Sequence, residues 1–129
     1  MENVNPVTMP MDLNMKLKPN PDGNEGSQSN SFAKLLGELQ FLVNVTRPDI
    51  TYAVNRLAAY TANLSLQHVG ALKQILWYLT GTRTHGITYS KSPTTGNFFV
   101  RYAHVAYMNA DDLKLISSHV FIMAGGAIT

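Results

Sequence analysis

Phosphodiester chemistry run by two metal ions needs clustered carboxylates, because both the attacking and the leaving oxygen must be met by a cation held in oxygen anions. In this chain the only directly adjacent acids are Asp111 and Asp112, in the run Tyr107-Met108-Asn109-Ala110-Asp111-Asp112. That run is read as a polar loop between strands. Four histidines are the other candidate ligands. His68 and His85 lie near helix ends and are read as surface or capping residues. His104 and His119 fall on neighbouring strands, but two imidazoles without a third ligand make a poor zinc site. The chain has no cysteine, which excludes disulfides and thiolate metal sites. No serine–histidine–acid arrangement or phosphate-cradling glycine loop occurs, and Gly125-Gly126 is read as a hairpin turn. Trp77 is assigned to packing or a half-exposed position rather than to base stacking, and Arg47, just before Pro48, to bracing a helix junction. For Arg56, a phosphate and an acidic side chain are equally good partners.

The elements that must position these residues follow from periodicity. Residues 1–29 hold four of the six prolines (Pro6, Pro10, Pro19 and Pro21), with Asn, Gly and Ser between them. This stretch is expected to bury little and to be an extended or disordered linker. The near-alternation from Met9 to Leu17 would also suit one strand laid along a partner. A helical block at 30–82 comes next. Phe32, Leu35, Leu36, Leu39, Leu42 and Val43 form one apolar stripe, capped by Asn30 or Ser31. A second helix opens at Thr46-Arg47-Pro48-Asp49, where Thr46 and Asp49 have capping-box spacing and Pro48 suits a first turn. Its stripe is Ile50, Ala53, Val54, Leu57 and Tyr60. A third helix from Ser65 shows Val69, Leu72, Ile75, Leu76 and Leu79, with Gly81 placed for a left-handed end. Short connections make the three helices antiparallel neighbours.

After Gly81 the period changes to that of strands, and residues 83–129 are expected to form a sheet. Gly86–Ser90 and Phe98–Tyr102 are predicted strands of a hairpin whose turn is Ser92–Asn97. His119–Met123 is a third strand. Ala124-Gly125-Gly126 turns into a fourth, Ala127–Thr129. The fold class expected is therefore α+β: an extended N-terminal linker, a three-helix bundle and an incomplete, mostly antiparallel sheet.

Composition narrows the function less than the order of elements does. Charged residues make up 14% of the chain, below the usual share of about 25%, so this is no polyelectrolyte tail. The charge is uneven, however. Between Asn30 and Arg101 lie seven basic residues (Lys34, Arg47, Arg56, Lys73, Arg83, Lys91 and Arg101) against two acids, Glu38 and Asp49. A basic middle fits a polyanion, though an ordinary solvated surface would look the same. Met1–Pro6 lacks the basic and apolar runs of a signal peptide, and no apolar stretch approaches the ~20 residues of a membrane helix. An intracellular location, cytoplasmic or nuclear, is expected, and the sequons at Asn44 and Asn63 are read as chance matches.

Three runs of residues carry a resemblance. Thr46–Tyr60 (TRPDITYAVNRLAAY), Leu66–Ser90 (LQHVGALKQILWYLTGTRTHGITYS) and Val120–Thr129 (VFIMAGGAIT), together with the leader Asn5–Leu17, resemble in order the polyprotein of copia-type retrotransposons. That polyprotein carries protease, integrase, reverse transcriptase and ribonuclease H. The resemblance implies the thumb or connection of the reverse transcriptase, running into the opening strands of ribonuclease H. It implies a helical unit that grips a duplex by its backbone, with Arg56, Lys73 and Arg83 as weak nucleic-acid contacts. The expected partners are an RNA/DNA hybrid or a duplex, met through phosphates, and the remainder of the polyprotein, with no membrane.

The same resemblance shows where chemistry is lost. The family's Tyr-x-Asp-Asp hairpin belongs upstream of this region. Its first ribonuclease H strand reads Tyr-x-Asp-Ala, where this chain has Tyr102-Ala103-His104-Val105, so His104 occupies the place of the first catalytic Asp. The family's other carboxylates are expected beyond Thr129. A neutral imidazole lacks the anionic oxygens that Mg²⁺ prefers. No catalytic residue, metal site or cofactor is therefore expected in this fragment, although the intact family enzyme uses Mg²⁺. Gln74 and Trp77 replace two arginines of the family's third helix, Leu64 replaces Pro, Leu115 replaces Ser, and Ser118-His119 stands for Gly-Tyr. These changes read as drift in an inactive copy.

Overall fold

The computed structural model describes residues 7–12, 14–20, 26–90, 99–106 and 116–128, side chains excepted at 26–29, 106 and 116. It is of the α+β class, with helices followed by a three-stranded antiparallel sheet. The chain divides into two compact units, Met1–His85 and Gly86–Thr129.

The first unit is built on helix α1 (Gly26–Val45), a short 3-10 turn (Pro48–Ile50), α2 (Thr51–Ala58) and α3 (Leu66–Gly81). The apolar stripes read from the sequence are the core. Phe32, Leu36, Leu39 and Val43 of α1 meet Ile50, Ala53, Val54 and Leu57, and Ala71, Leu72 and Ile75 of α3 complete the cluster. Helix α2 packs against both α1 and α3. At eight residues it is too short to persist alone, so its neighbours hold it helical.

Three local expectations are corrected. Helix α1 starts at Gly26, so Asn30 and Ser31 lie within it rather than at its cap. The capping box expected at Thr46 and Asp49 does not form, because Arg47 takes the Asp49 carboxylate. A box forms instead at Ser65, where His68 supplies the returning acceptor. Gly81 does not make a left-handed end. Thr82 ends α3, its amide donating to the Tyr78 and Leu79 carbonyls and its hydroxyl to the Tyr78 carbonyl at 2.8 Å.

The leader also departs from the expectation that it buries little. Residues 7–12 and 14–20 form no strand, yet Met11 and Leu17 are buried in the core and Met15 packs against it. Three side chains hold this segment by its backbone or reach from it. The Tyr60 hydroxyl donates to the Leu17 carbonyl at 2.9 Å, Asn20 donates to the Leu64 carbonyl at 2.8 Å, and Gln74 to the Met9 carbonyl at 3.3 Å.

In the second unit β1 (Val100–Ala106) pairs with β2 (Ile116–Met123), which pairs with the short β3 (Gly126–Ala127). The expected strand at 98–102 is thus the beginning of a longer one. The turn Ala124-Gly125 has positive φ at both positions, 51° and 80°, as a two-residue hairpin that follows the right-handed strand twist requires. The expected hairpin between 86–90 and 98–102 is not formed, since β1 pairs with β2. Its turn, Ser92–Asn97, lies outside the described residues. Residues 86–90 make no regular strand. They lie along the β2–β3 hairpin instead, where the Ser90 amide donates to the Ala124 carbonyl and the Tyr89 hydroxyl to the Ala127 carbonyl. The Tyr89 ring takes the space that a side chain at Gly126 would fill, a Cβ there falling 2.7 Å from it.

The two units differ in burial. The first encloses a core that includes Leu39, Ile50, Leu57 and Ile75, while Val100, Tyr102 and Val105 of β1 are exposed. Protection of amides follows enclosure of this kind. Hydrogen exchange is expected to be slower by at least tenfold in the buried turns of α1, α2 and α3 than in β1–β3; equal protection in the strands would contradict it.

Candidate functional site

The residues singled out for chemistry fall in three places. The first is strand β1. His104 lies there, exposed, with Ser118 as its cross-strand partner. His119 pairs with Ala103 instead. Successive side chains in a strand point to opposite faces, so His104 and His119 project from opposite sides of the sheet and cannot share a metal. His119 sets its ring edge against Phe121 at 5.7 Å. No carboxylate stands on β1, β2 or β3. An imidazole beside a hydroxyl does not fit Mg²⁺, which asks for oxygen anions. Among the described residues no group of three or more His, Asp or Glu could hold a metal ion. Tyr107–Asp112 lies outside the described residues.

The second place is the outer surface of the helical unit. Lys73 on α3 and Arg83 beyond its end are exposed, and Arg56 in the last turn of α2 is half-buried. Among the described residues none of the three enters a salt bridge. Lys73 and Trp77 are one helical turn apart, and both are turned away from the buried face of Leu72 and Ile75. Trp77 is 37% exposed, the half-exposed placement that the sequence allowed.

The third place is a knot that the sequence only partly announced. Arg47, 8% exposed, does brace the helix junction. Its Nε and Nη2 donate to the two Asp49 carboxylate oxygens at 2.9 and 2.8 Å. Nη1 donates to the Thr82 carbonyl at 3.0 Å, and Nη2 also reaches the Thr82 hydroxyl at 2.6 Å. The guanidinium stands 5.5 Å from the centre of the Tyr78 ring. The Tyr78 hydroxyl in turn donates to Asp49 at 2.8 Å. These bonds tie the start of α2 to the end of α3. The guanidinium hydrogen bonds hold the Asp49 carboxyl below its usual pKa, with help from the Tyr78 hydroxyl. The bond to Asp49 raises Tyr78 in the same exchange. Arg47 is therefore spent inside the fold and is not available to a phosphate. Its tie to Thr82 was not legible, because the two are far apart in sequence and Thr82 carries no motif.

His68 is a second internal group. It is fully buried, its Nδ1 accepts the Ser65 backbone N–H at 2.9 Å, and its ring stacks on Tyr60 with centroids 4.5 Å apart. Its Nε2 has no partner among the described residues. Burial pushes its pKa down, so the fold holds it neutral. This is the capping histidine the sequence pointed to, taken inside the core. His85 is exposed.

The chain is 43% identical over 89 residues to the retrovirus-related Pol polyprotein from transposon RE1 of Arabidopsis thaliana, which covers 69% of the chain and 6% of that protein. It is 28% identical to the corresponding polyprotein from transposon TNT 1-94 of Nicotiana tabacum, over 100% of the chain and 10% of that protein. It is also 27% identical to the secreted RxLR effector protein 161 of Plasmopara viticola, over 76% of the chain and 68% of that protein. The chain spans a tenth or less of the length of the Pol polyproteins it matches. No family model matches it, and no solved structure matches it significantly. No helix among the described residues is long and apolar enough to cross a membrane.

Two outcomes follow for stability. Arg47→Ala leaves the Thr82 carbonyl without the guanidinium donor and a partly exposed Asp49 with the Tyr78 hydroxyl but no guanidinium. Removing one partner of a buried pair costs about 3–5 kcal/mol, and water reaching Asp49 reduces that, so urea denaturation should show a loss of about 2–3 kcal/mol. The pH dependence has two phases. Below about pH 6.5 the unfolded chain protonates at His68 and the fold does not, so stability falls as pH drops. Below about pH 4 the contribution of ionised Asp49 is lost as well. His68→Gln keeps an acceptor for Ser65 and should flatten the upper phase in denaturation midpoints taken between pH 7 and 5; an unchanged slope would count against this assignment.

Proposed function

The chain belongs to the Pol polyproteins of copia-type transposons, and from that premise we propose that it corresponds to the end of the reverse transcriptase and the opening of ribonuclease H, and that it catalyses no reaction alone. The helical unit answers to the thumb or connection, and the β1–β2–β3 sheet to the first ribonuclease H strands. On this reading the fragment has no cofactor of its own and an intracellular location.

One observation carries the silent reading. The strand position where the family places its first catalytic carboxylate holds His104, facing Ser118 on a sheet without an acid. Two-metal hydrolysis requires anionic oxygens that bridge or flank the cations. A single imidazole supplies neither the charge nor the paired oxygens.

A second reading is supported by Lys73 and Arg83, which stand exposed and outside any salt bridge among the described residues, with Arg56 at the flank of α2. Such cations bind phosphates without reading bases. The helical unit would then be a weak, sequence-blind binder of an RNA/DNA hybrid or a duplex.

A labelled RNA/DNA hybrid incubated with the purified chain and Mg²⁺ or Mn²⁺ should remain uncut, and a primer on a template should not be extended. Cleavage abolished by substituting His104 would overturn the silent reading. Fluorescence anisotropy with the same hybrid tests the binding reading separately. Binding through backbone phosphates should weaken steeply with salt, and each of Arg56→Ala, Lys73→Ala and Arg83→Ala that removes a contact should lower the log–log slope by about 0.9. No affinity at low salt would reject it.

A further inference from the structure

We propose that His68 is an acid-sensitive latch for the leader: when its ring takes a second proton it leaves the junction between α2 and α3, and the leader segments 7–12 and 14–20 detach while the helical core stays closed. Two side-chain clasps on the leader converge on this residue. The Tyr60 hydroxyl donates to the Leu17 carbonyl at 2.9 Å, and the Tyr60 ring is stacked on the His68 ring with centroids 4.5 Å apart. Asn20 donates to the Leu64 carbonyl at 2.8 Å. Leu64 immediately precedes Ser65, whose amide donates to His68 Nδ1. The clasp from Gln74 to the Met9 carbonyl lies further along α3 and is longer, at 3.3 Å.

The geometry leaves no place for a charged ring. His68 is 0% exposed. Because Nδ1 accepts a hydrogen bond, the single proton of the neutral ring sits on Nε2. A second proton must go to Nδ1, which stands 2.9 Å from the Ser65 nitrogen. Two N–H groups would then point at each other, and the bond that closes the capping box of α3 would be lost. Tyr60 is the titratable side chain that faces the ring. Asp12, Lys16 and Lys18 of the leader, Lys34 and Glu38 of α1 and Lys73 of α3 are exposed, and Arg56 of α2 is half-buried. Arg47 and Asp49 are paired with each other. None of these charges contributes to the titration of His68, which burial alone displaces. The ring therefore takes its proton by swinging out to water.

Its departure undoes both clasps. Tyr60 loses the ring that seats it beneath the Leu17 carbonyl, and the turn at Leu64-Ser65, which carries the Asn20 acceptor, loses its tie to α3. The leader has no helix or strand to hold it otherwise, only the burial of Met11 and Leu17 and the packing of Met15. The helical core is fastened elsewhere. Arg47 joins Asp49 to Thr82 at the opposite end of α3, through a network that contains no histidine. The leader is thus the part that opens first. The direction follows from linkage. The detached ring regains its ordinary pKa of 6.5, and the docked ring lies below it. Detachment is therefore suppressed above pH 6.5 and favoured progressively as the pH falls below it.

Oxidation of methionines by dilute hydrogen peroxide, followed by mass spectrometry on the full chain, tests the latch. Met11 is 4% exposed and Met9, two residues away, is 54% exposed. Their rate ratio therefore reports detachment and cancels any effect of pH on the reagent. The Met11 rate relative to Met9 should rise about tenfold between pH 7 and pH 5. His68→Gln places the usual capping-box residue there, which accepts the Ser65 amide and does not titrate, so the ratio should stay flat. The other three histidines remain in that variant, and a response due to them would persist. Tyr60→Phe keeps the ring stack and removes the Leu17 bond, so it should raise the ratio already at pH 7. Hydrogen exchange at Leu57 and Ile75 gives the share of molecules whose core is open, which should stay below the share that exposes Met11. The proposal is overturned by a parent ratio that does not change with pH, by the same rise in His68→Gln, by Tyr60→Phe as protected as the parent, or by a core that opens together with Met11.

Discussion

A guanidinium taken out of water must be met on every side, and the helical unit is arranged to meet Arg47. Its planar fork offers donors in fixed directions, which suit a carboxylate on one edge and a carbonyl and hydroxyl on the other. Asp49 lies two residues on, across Pro48, so one partner is supplied locally. Thr82 comes from the far end of α3, so the other is supplied only when the bundle has closed. Lysine could not replace it, since a point charge cannot hold both edges. The knot also decides what becomes of the helix ends around it. It takes Asp49 away from capping α2, and it stabilises Thr82 as the end of α3 in place of a left-handed glycine.

That division separates what the sequence made legible from what it did not. The stripes of α1, α2 and α3 were readable because burial is what a period near 3.6 produces, and Phe32, Leu39, Ile50, Leu57 and Ile75 are all buried. The ends were less readable. Thr46 and Asp49 have the spacing of a capping box, but spacing cannot show that a nearby arginine will compete for the acid. Ser65 and His68 form the box that does exist, with an imidazole where Glu or Gln is usual, so the usual pattern missed it. Met11 and Leu17 were hidden for another reason. A polar, proline-bearing segment reads as a linker, and nothing local reveals that a groove with Tyr60 and Gln74 at its rim will take its apolar side chains.

The sheet was legible in its strands but not in its pairing. Val100–Ala106 and Ile116–Met123 have the residue types of strands, and the turn at Ala124-Gly125 was marked by its glycines. The partner of β1 was the error, because residues 86–90 look as strand-like as β2 does. What excludes them is three-dimensional. Tyr89 lies against Gly126, which fixes this segment at the β2–β3 hairpin.

On the proposed reading of a silent fragment, the positions where this chain differs from the residues usual in the polyproteins it resembles show why a fold can outlast a chemistry. Trp77, His104 and His119 are exposed, and Gln74 holds the Met9 carbonyl. Replacing an arginine or an aspartate at such sites costs the fold little, since solvated charges contribute little to stability. On the proposed reading, the change at His104 exchanges an aspartate, which strands disfavour, for an imidazole, which costs the strand nothing. Leu64 is the exception, being buried, but it adds apolar surface to the core rather than removing it. The Arg47–Asp49 pair is of the opposite kind. Losing either partner would strand the other in a half-closed junction, so that pair is tied to folding whatever becomes of activity. Catalytic carboxylates are costly to crowd together and give the fold nothing in return, whereas structural charges are neutralised by their own network. A sequence released from catalysis but still required to fold would drift in the pattern seen here.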